Sequence, residues 1–157
     1  MRLLFEQRLF SWFDSYDIYD EEGNTVYTVK GELAWGHLLR IYDAQGNEIG
    51  CVREKILSWL PKFEMYCDDT YIGCIKKELS LFKPKFSIDY NGWQVEGDFF
   101  EWDYSIKSES GALVATVSKD VWKLRDTYVI DVWNQNDAIY SLMLVLAIDA
   151  EKCSRKN

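Results

Sequence analysis

DAIYSLMLVLAID, residues Asp137–Asp149, is the stretch whose reading decides the fold. From Ala138 to Ile148 every position except Ser141 is apolar. Stepping along it at about 100° per residue reveals no polar face, and a helix that is apolar all round has to be buried all round. Leu, Met and Ala dominate it, which favours helix over strand. Asn136 or Asp137 can cap its start, a side-chain oxygen accepting from a free backbone N–H. A membrane span needs roughly 20 apolar residues. This run ends at Asp149 and is followed by Glu151, Lys152 and Arg155, so no transmembrane segment is expected. Burying its eight large side chains is worth about 12–24 kcal/mol gross, an upper bound because the unfolded chain already hides some surface. The expected helix covers about residues 137–151 and forms much of the core.

Working outward, one phrase recurs. Ile18-Tyr-Asp-Glu-Glu-Gly-Asn24 returns as Ile41-Tyr-Asp-Ala-Gln-Gly-Asn47, with a looser copy at Ile106-Lys-Ser-Glu-Ser-Gly-Ala112. Each reads as a strand end, a tight turn opened by Asp or Ser, and a Gly supplying positive φ. Tyr66–Tyr71 and Asp89–Trp93 are degenerate versions. Between the turns, Trp93, Val95, Gly97 and Phe99 share one face, as do Trp102, Tyr104 and Ile106, and Tyr128, Ile130 and Val132. Period two with one polar face is an antiparallel sheet covered on one side. Twelve strands are expected, near 2–8, 14–20, 24–33, 37–43, 47–57, 62–67, 71–82, 86–91, 93–99, 101–108, 112–119 and 126–133. Residues 9–13 and 57–61 read as apolar loops, Pro61 marking a break.

Twelve strands with one apolar face need something to pack on. A closed antiparallel barrel around the C-terminal helix meets that need and removes exposed strand edges. Gly97, on a bulky inward face, either leaves room for the helix or marks a bend. With 157 residues and no linker, the chain reads as one domain over 1–157.

Composition narrows the function classes. Aromatics make up 16% of the chain, an excess that suits strands. The net charge of −8 argues against a nucleic-acid partner. Residues 53–85 depart from that average, with seven basic and five acidic residues, net +2. Cys51, Cys67, Cys74 and Cys153 fit no Cys-x-x-Cys pattern, and no signal peptide is evident, so a soluble cytoplasmic protein with free thiols is expected. Pairing about Asp68–Asp69 sets Cys67 opposite Thr70 and Cys74 opposite Phe63, so the two thiols are not expected to meet.

The paired turns at Tyr19–Asn24 and Tyr42–Asn47, the sequence Val95-Glu-Gly-Asp98, and the ending Leu146-Ala-Ile-Asp149 after an apolar helix resemble the LURP-one-related family. That family shares the tubby C-terminal-like fold with the phospholipid scramblases, and the resemblance covers nearly the whole chain. It implies a twelve-stranded closed barrel threaded by the C-terminal helix. It implies no shared reaction, and relatives in the wider fold point to phosphoinositide or membrane-surface binding. Scrambling is not carried over, since the longer C-terminal segment and metal-site acids expected of scramblases have no counterpart.

The residues themselves carry no catalytic constellation. His37 is the sole histidine, which rules out a multi-histidine zinc site and leaves any catalytic dyad hanging on one residue. No G-x-S-x-G, G-x-G-x-x-G or P-loop is present. The acids Asp14, Asp17, Asp20, Glu21 and Glu22 are spaced along extended chain and scatter onto both faces, unlike a calcium loop. Asp149 lies at the negative end of a helix, where a buried Arg or Lys partner is expected. A non-catalytic binding or scaffolding domain is therefore expected, with no cofactor or metal and an unidentified protein partner. The alternative is a weak anionic-lipid contact through Lys76, Lys77, Lys83 and Lys85, beside Phe82, Pro84 and Phe86. Lys and Pro also serve as blockers of strand pairing, and that reading of the lysines stays open.

Overall fold

The computed structural model describes residues 1–6, 15–34, 36–79, 81, 85–98, 101–120 and 127–154, and only the backbone of 33, 34, 85, 153 and 154. Twelve strands run in chain order: β1 (Arg2–Glu6), β2 (Ser15–Tyr19), β3 (Thr25–Ala34), β4 (Gly36–Asp43), β5 (Glu48–Glu54), β6 (Lys62–Cys67), β7 (Thr70–Glu78), β8 (Lys85–Asp89), β9 (Gln94–Asp98), β10 (Asp103–Lys107), β11 (Leu113–Asp120) and β12 (Thr127–Val132). Each pairs antiparallel with its chain neighbours, and β1 pairs with β12 to close the barrel. A 3₁₀ turn, Gln135–Asp137, then leads into helix α1, Ala138–Ser154. The expected strand set and central helix are both present.

Alternation supplies the core. Leu3, Phe5, Ile18, Val29, Leu39, Ile41, Val52, Phe63, Met65, Ile75, Ile106, Val117 and Ile130 point inward and are buried. They meet Leu142, Met143, Leu144, Val145, Leu146 and Ile148, each at most 1% exposed. The helix is shielded on every side, as its lack of a polar face requires. Outward positions such as Lys30, Glu32 and Arg53 are exposed. That is the inverse of a membrane-spanning barrel, whose outer band is apolar.

The repeated phrase folds into twin turns. Asp20 Oδ1 accepts from the backbone N–H groups of Glu22 (2.9 Å) and Asn24 (2.8 Å). Asp43 Oδ1 does the same for Gln45 (2.9 Å) and Asn47 (2.8 Å). Gly23 and Gly46 both sit at φ 85°. In the looser copy Ser108 Oγ replaces the carboxylate, accepting from Ala112 N–H at 3.2 Å.

Four sequence expectations change, and the open choice at Gly97 is settled. The start of the helix is capped earlier than Asn136, because Asn134 accepts from Asn136 N–H at the head of the 3₁₀ turn. Gly97 does not face the helix: at φ 133° it is exposed, and a Cβ there meets Asp103 and Tyr104 of the next strand, so it marks a bend. The glycine that admits the helix is Gly50, where a Cβ would collide with the Met143 methyl. Cys74 lies opposite Glu64 rather than Phe63, because the register shifts by one between Met65 and Tyr66, although Cys67 does face Thr70. Finally, β5 ends at Glu54 instead of reaching 57, and β7 at Glu78 instead of 82. Leu57, Leu79 and Leu81, beyond those ends, lie in solvent rather than in strands.

In an antiparallel barrel alternate connections fall at the same end, which gives this one two unlike poles. At one pole lie the tight turns after β2, β4, β6, β8 and β10. Residues 20–24, 43–47, 68–69, 90–93 and 108–112 carry Asp20, Glu21, Glu22, Asp43, Asp68, Asp69 and Glu109 with no Lys or Arg. At the other pole lie the connections after β5 and β7. The helix enters at the turn pole and runs about 25 Å to the loop pole.

Candidate docking surface

The β5–β6 connection is a short closed loop. Lys55 N–H donates to the Lys62 carbonyl at 2.8 Å, which leaves Ile56-Leu-Ser-Trp-Leu-Pro61 projecting beyond the barrel. Leu57 and Trp59 are fully exposed, and Ile56 is 51% exposed. The end of β7 lies against this loop, because Lys77 N–H donates to the Pro61 carbonyl at 3.0 Å. Two residues on, Leu79 is 87% exposed and Leu81 94%. Five large apolar side chains are thus held in water on two adjoining connections, whereas isolated exposed apolar residues are ordinary.

The base of the loop is fixed. Gly36, at φ 102°, has no side chain, and a Cβ there would approach Ile56 Cγ1 to 2.9 Å, so glycine makes room for Ile56. His37 bonds Glu54 twice: its backbone N–H donates to Glu54 Oε2 at 3.0 Å, and its Nδ1 lies 2.5 Å from the same oxygen. Glu64 is 8% exposed and is held by the Tyr66 hydroxyl at 2.8 Å and Lys55 Nζ at 3.4 Å. The bond to Glu64, followed by burial, raises the Tyr66 phenol above its ordinary range. Arg53 lies over the Tyr66 ring at 5.5 Å.

The four lysines of the sequence reading do not form one patch. Lys76 is exposed on the outer face of β7. Lys77 faces inward, with Nζ 2.6 Å from Glu151 near the end of the helix. Lys83 lies outside the described residues, as does the expected apolar loop at 9–13; Lys85 is known only by its backbone, which pairs with Glu78. The sequence reading missed Lys62, which lies directly opposite Lys76 across β6 and β7. Lysines directly opposite in a sheet repel each other. No motif marks this pair, and it emerges only from the register.

The remaining chemistry is sparse. Burial pushes the Cys67 thiol up to about 11 and also raises Cys51, the opposite of what a nucleophilic thiolate requires. Cys51, Cys67 and Cys74 are free thiols. Among the described residues no three His, Cys, Asp or Glu side chains converge on a metal position. Among the described residues no helix is long and apolar enough to cross a membrane. An open groove of about 400 Å³ is lined by Met1, Arg2, Asp131, Val132 and Trp133. Its Arg2 is held by Asp131 at 2.6 Å and Glu21 at 3.0 Å. Asp149 is only half-buried, and its charge adds to burial in raising the Tyr104 phenol. Among the described residues two buried acids pair with lysines, Glu151 with Lys77 and Glu64 with Lys55.

Comparison with known proteins agrees with this architecture. A protein from Arabidopsis thaliana of known X-ray structure superposes with a TM-score of 0.67 at 18% identity, over 96% of this chain and 90% of that one. The uncharacterized protein YxjI of Bacillus subtilis (strain 168) is 23% identical over 150 residues, 95% of this chain and 92% of YxjI. The LURP-one-related family matches residues 1–149, and the chain belongs to that family.

Proposed function

We propose that this chain is a non-catalytic binding domain that works through its loop pole. The observation that carries the reading is the exposure of Leu57, Trp59, Leu79 and Leu81 together on adjoining connections. Exposing such side chains costs solubility and returns nothing to the core, so a contiguous group of them marks a contact surface. The filled barrel supports the same reading, since Leu142–Ile148 occupy the interior where a carrier or enzyme of this shape would hold a ligand. The anchored base fits as well: a rigid β-framework below Glu54 and Lys62 presents the loop in one place, which lowers the ordering cost of binding.

Photo-crosslinking in cells tests the pole. A benzophenone amino acid is placed at Leu57 and, as control, at Gln45 in a turn of the opposite pole. Adducts are expected from Leu57 and not from Gln45. Equal adducts from both positions, or adducts from Gln45 alone, count against the loop pole as the binding end.

A further inference from the structure

We infer that the partner of the loop pole is the turn pole of a second copy of this chain, with Leu57 and Trp59 of one copy seated in the groove beside Trp133 of the next. This deepens the reading of the loop pole as the binding end and rests on it. The groove belongs to the opposite end of the barrel, because Met1 precedes β1 and Trp133 follows β12, where the helix enters. Its volume of about 400 Å³ falls at the small end of the range for binding pockets. Trp133 is 63% exposed on its wall, and Met1 is 37% exposed beside it. The backbone there is fixed. The Met1 ammonium donates to the Val132 carbonyl at 2.7 Å, Val132 N–H donates to the Met1 carbonyl at 2.7 Å, and Trp133 N–H donates to the Val114 carbonyl at 3.0 Å. Each pole thus holds a tryptophan in water on a fixed base, one on a projecting loop and one beside a recess.

Charge selects this pairing over its rivals. Lys62 and Lys76 stand face to face at the base of the loop, and among the described residues neither has a carboxylate partner. The groove is flanked by the β2–β3 turn on the β1 side and by the β10–β11 turn on the β12 side. Glu22 and Glu109 are exposed on those turns, and among the described residues neither has a cation partner. Loop pole against loop pole would bring four lysines together, and turn pole against turn pole would set acid on acid. Like charges across an interface cost several kcal/mol. Loop pole against turn pole sets lysine against carboxylate instead. The Asp131 carboxylate also lines the groove, and a buried indole N–H needs an acceptor of that kind.

The two surfaces are different patches of one molecule, so the contact is heterologous and leaves a free loop at one end and a free groove at the other. The loop follows β5, whereas the groove lies where β1 meets β12, nearly across the wall from it. Lying at opposite poles and on opposite sides, loop and groove are not both engaged within a closed pair of copies. Association therefore continues by adding copies. The turn that carries Gln45 lies between β4 and β5, away from β1 and β12 round the wall, so that position stays clear of the contact.

Sedimentation velocity of the full chain over a concentration series tests the inference. The wild type is expected to gain mass with concentration and to pass beyond the dimer. Leu57→Ser/Trp59→Ser and Trp133→Ser are each expected to weaken association about thirtyfold or more, which corresponds to about 2 kcal/mol or more. Both variants should melt at the wild-type temperature, because Leu57 and Trp59 lie wholly in solvent and Trp133 largely so. An equimolar mixture of the two brings one intact loop to one intact groove. It is expected to form a one-to-one dimer and to grow no further. A wild type that stays monomeric at every soluble concentration overturns the second copy as partner. So does a mixture that stays monomeric, or either variant that still associates alone as the wild type does. Adducts from Leu57 to a different protein, with the chain itself monomeric, overturn it while leaving the loop pole standing as the binding end.

Discussion

At the scale of single residues, Ser141 carries the cleanest prediction. It is fully buried in the helix, and among the described residues its hydroxyl has no hydrogen-bond partner. A buried polar group left unmade costs free energy that its removal recovers. Ser141→Ala is expected to raise the unfolding free energy by about 1 kcal/mol, read as a higher urea midpoint at unchanged slope. The sequence marks Ser141 plainly, as the one polar letter in an apolar run. It does not show whether the hydroxyl finds a partner, since that depends on which strands face it. Lys62 is the opposite case. Its letter is ordinary, and its interest lies wholly in facing Lys76, which a one-residue register shift between Met65 and Tyr66 decides. The sequence pairing placed Phe63 opposite Cys74, and the same slip of one would have moved Lys62 out of line with Lys76.

At the scale of elements, strands with strict alternation were legible nearly to the residue; β6 falls at 62–67 as read. β5 and β7 were read too long for a physical reason. Ile56 and Leu57, then Leu79 and Leu81, look like strand interior because apolar residues normally earn their place by burial. Here they are exposed, so the places where the pattern fails are the candidate site itself. The helix was legible because nothing but burial suits it. Its anchoring was not: Lys77, read on the sequence as a surface cation, turns inward and reaches Glu151. Removing one member of a buried pair strands the other, whereas replacing both by apolar groups is often close to neutral. Lys77→Met alone is expected to cost about 3 kcal/mol and Lys77→Met/Glu151→Met distinctly less, measured as a double-mutant cycle in urea. Burial also sets a sign with pH. It raises the Glu151 carboxyl above its ordinary value by desolvation. The native state therefore binds this proton more tightly than the unfolded chain does. The stabilisation is complete below about 4.5, the unfolded value, and is lost as pH rises through the raised folded value. In Glu151→Gln that slope should disappear, while a slope equal to the wild type's would place its origin elsewhere.

At the scale of the whole molecule, the barrel is not uniformly stitched. Among the described residues β1 meets β2 at one register pair, Leu4 with Tyr19, and β8 meets β9 at one, Ser87 with Gln94. Most other neighbours share five or more, up to eight between β3 and β4. The two seams divide the wall into β2–β8, seven strands, and β9–β12 with β1, five strands. Local opening follows the fewest ladder bonds. Amide hydrogens flanking these seams should exchange before those of β3, β4 and β11, as native-state exchange by mass spectrometry would read; protection as high at the seams would show one cooperative wall. The threaded helix has a further consequence, for synthesis. Its residues leave the ribosome after all twelve strands, and the wall closes only by joining β12 to β1, the two most distant strands in the chain. A nascent chain halted before residue 138 has a wall with nothing to close around, its inward Leu, Ile and Phe rows open to water. Until residues 138–154 emerge, this chain is a client for chaperones that bind exposed apolar strands.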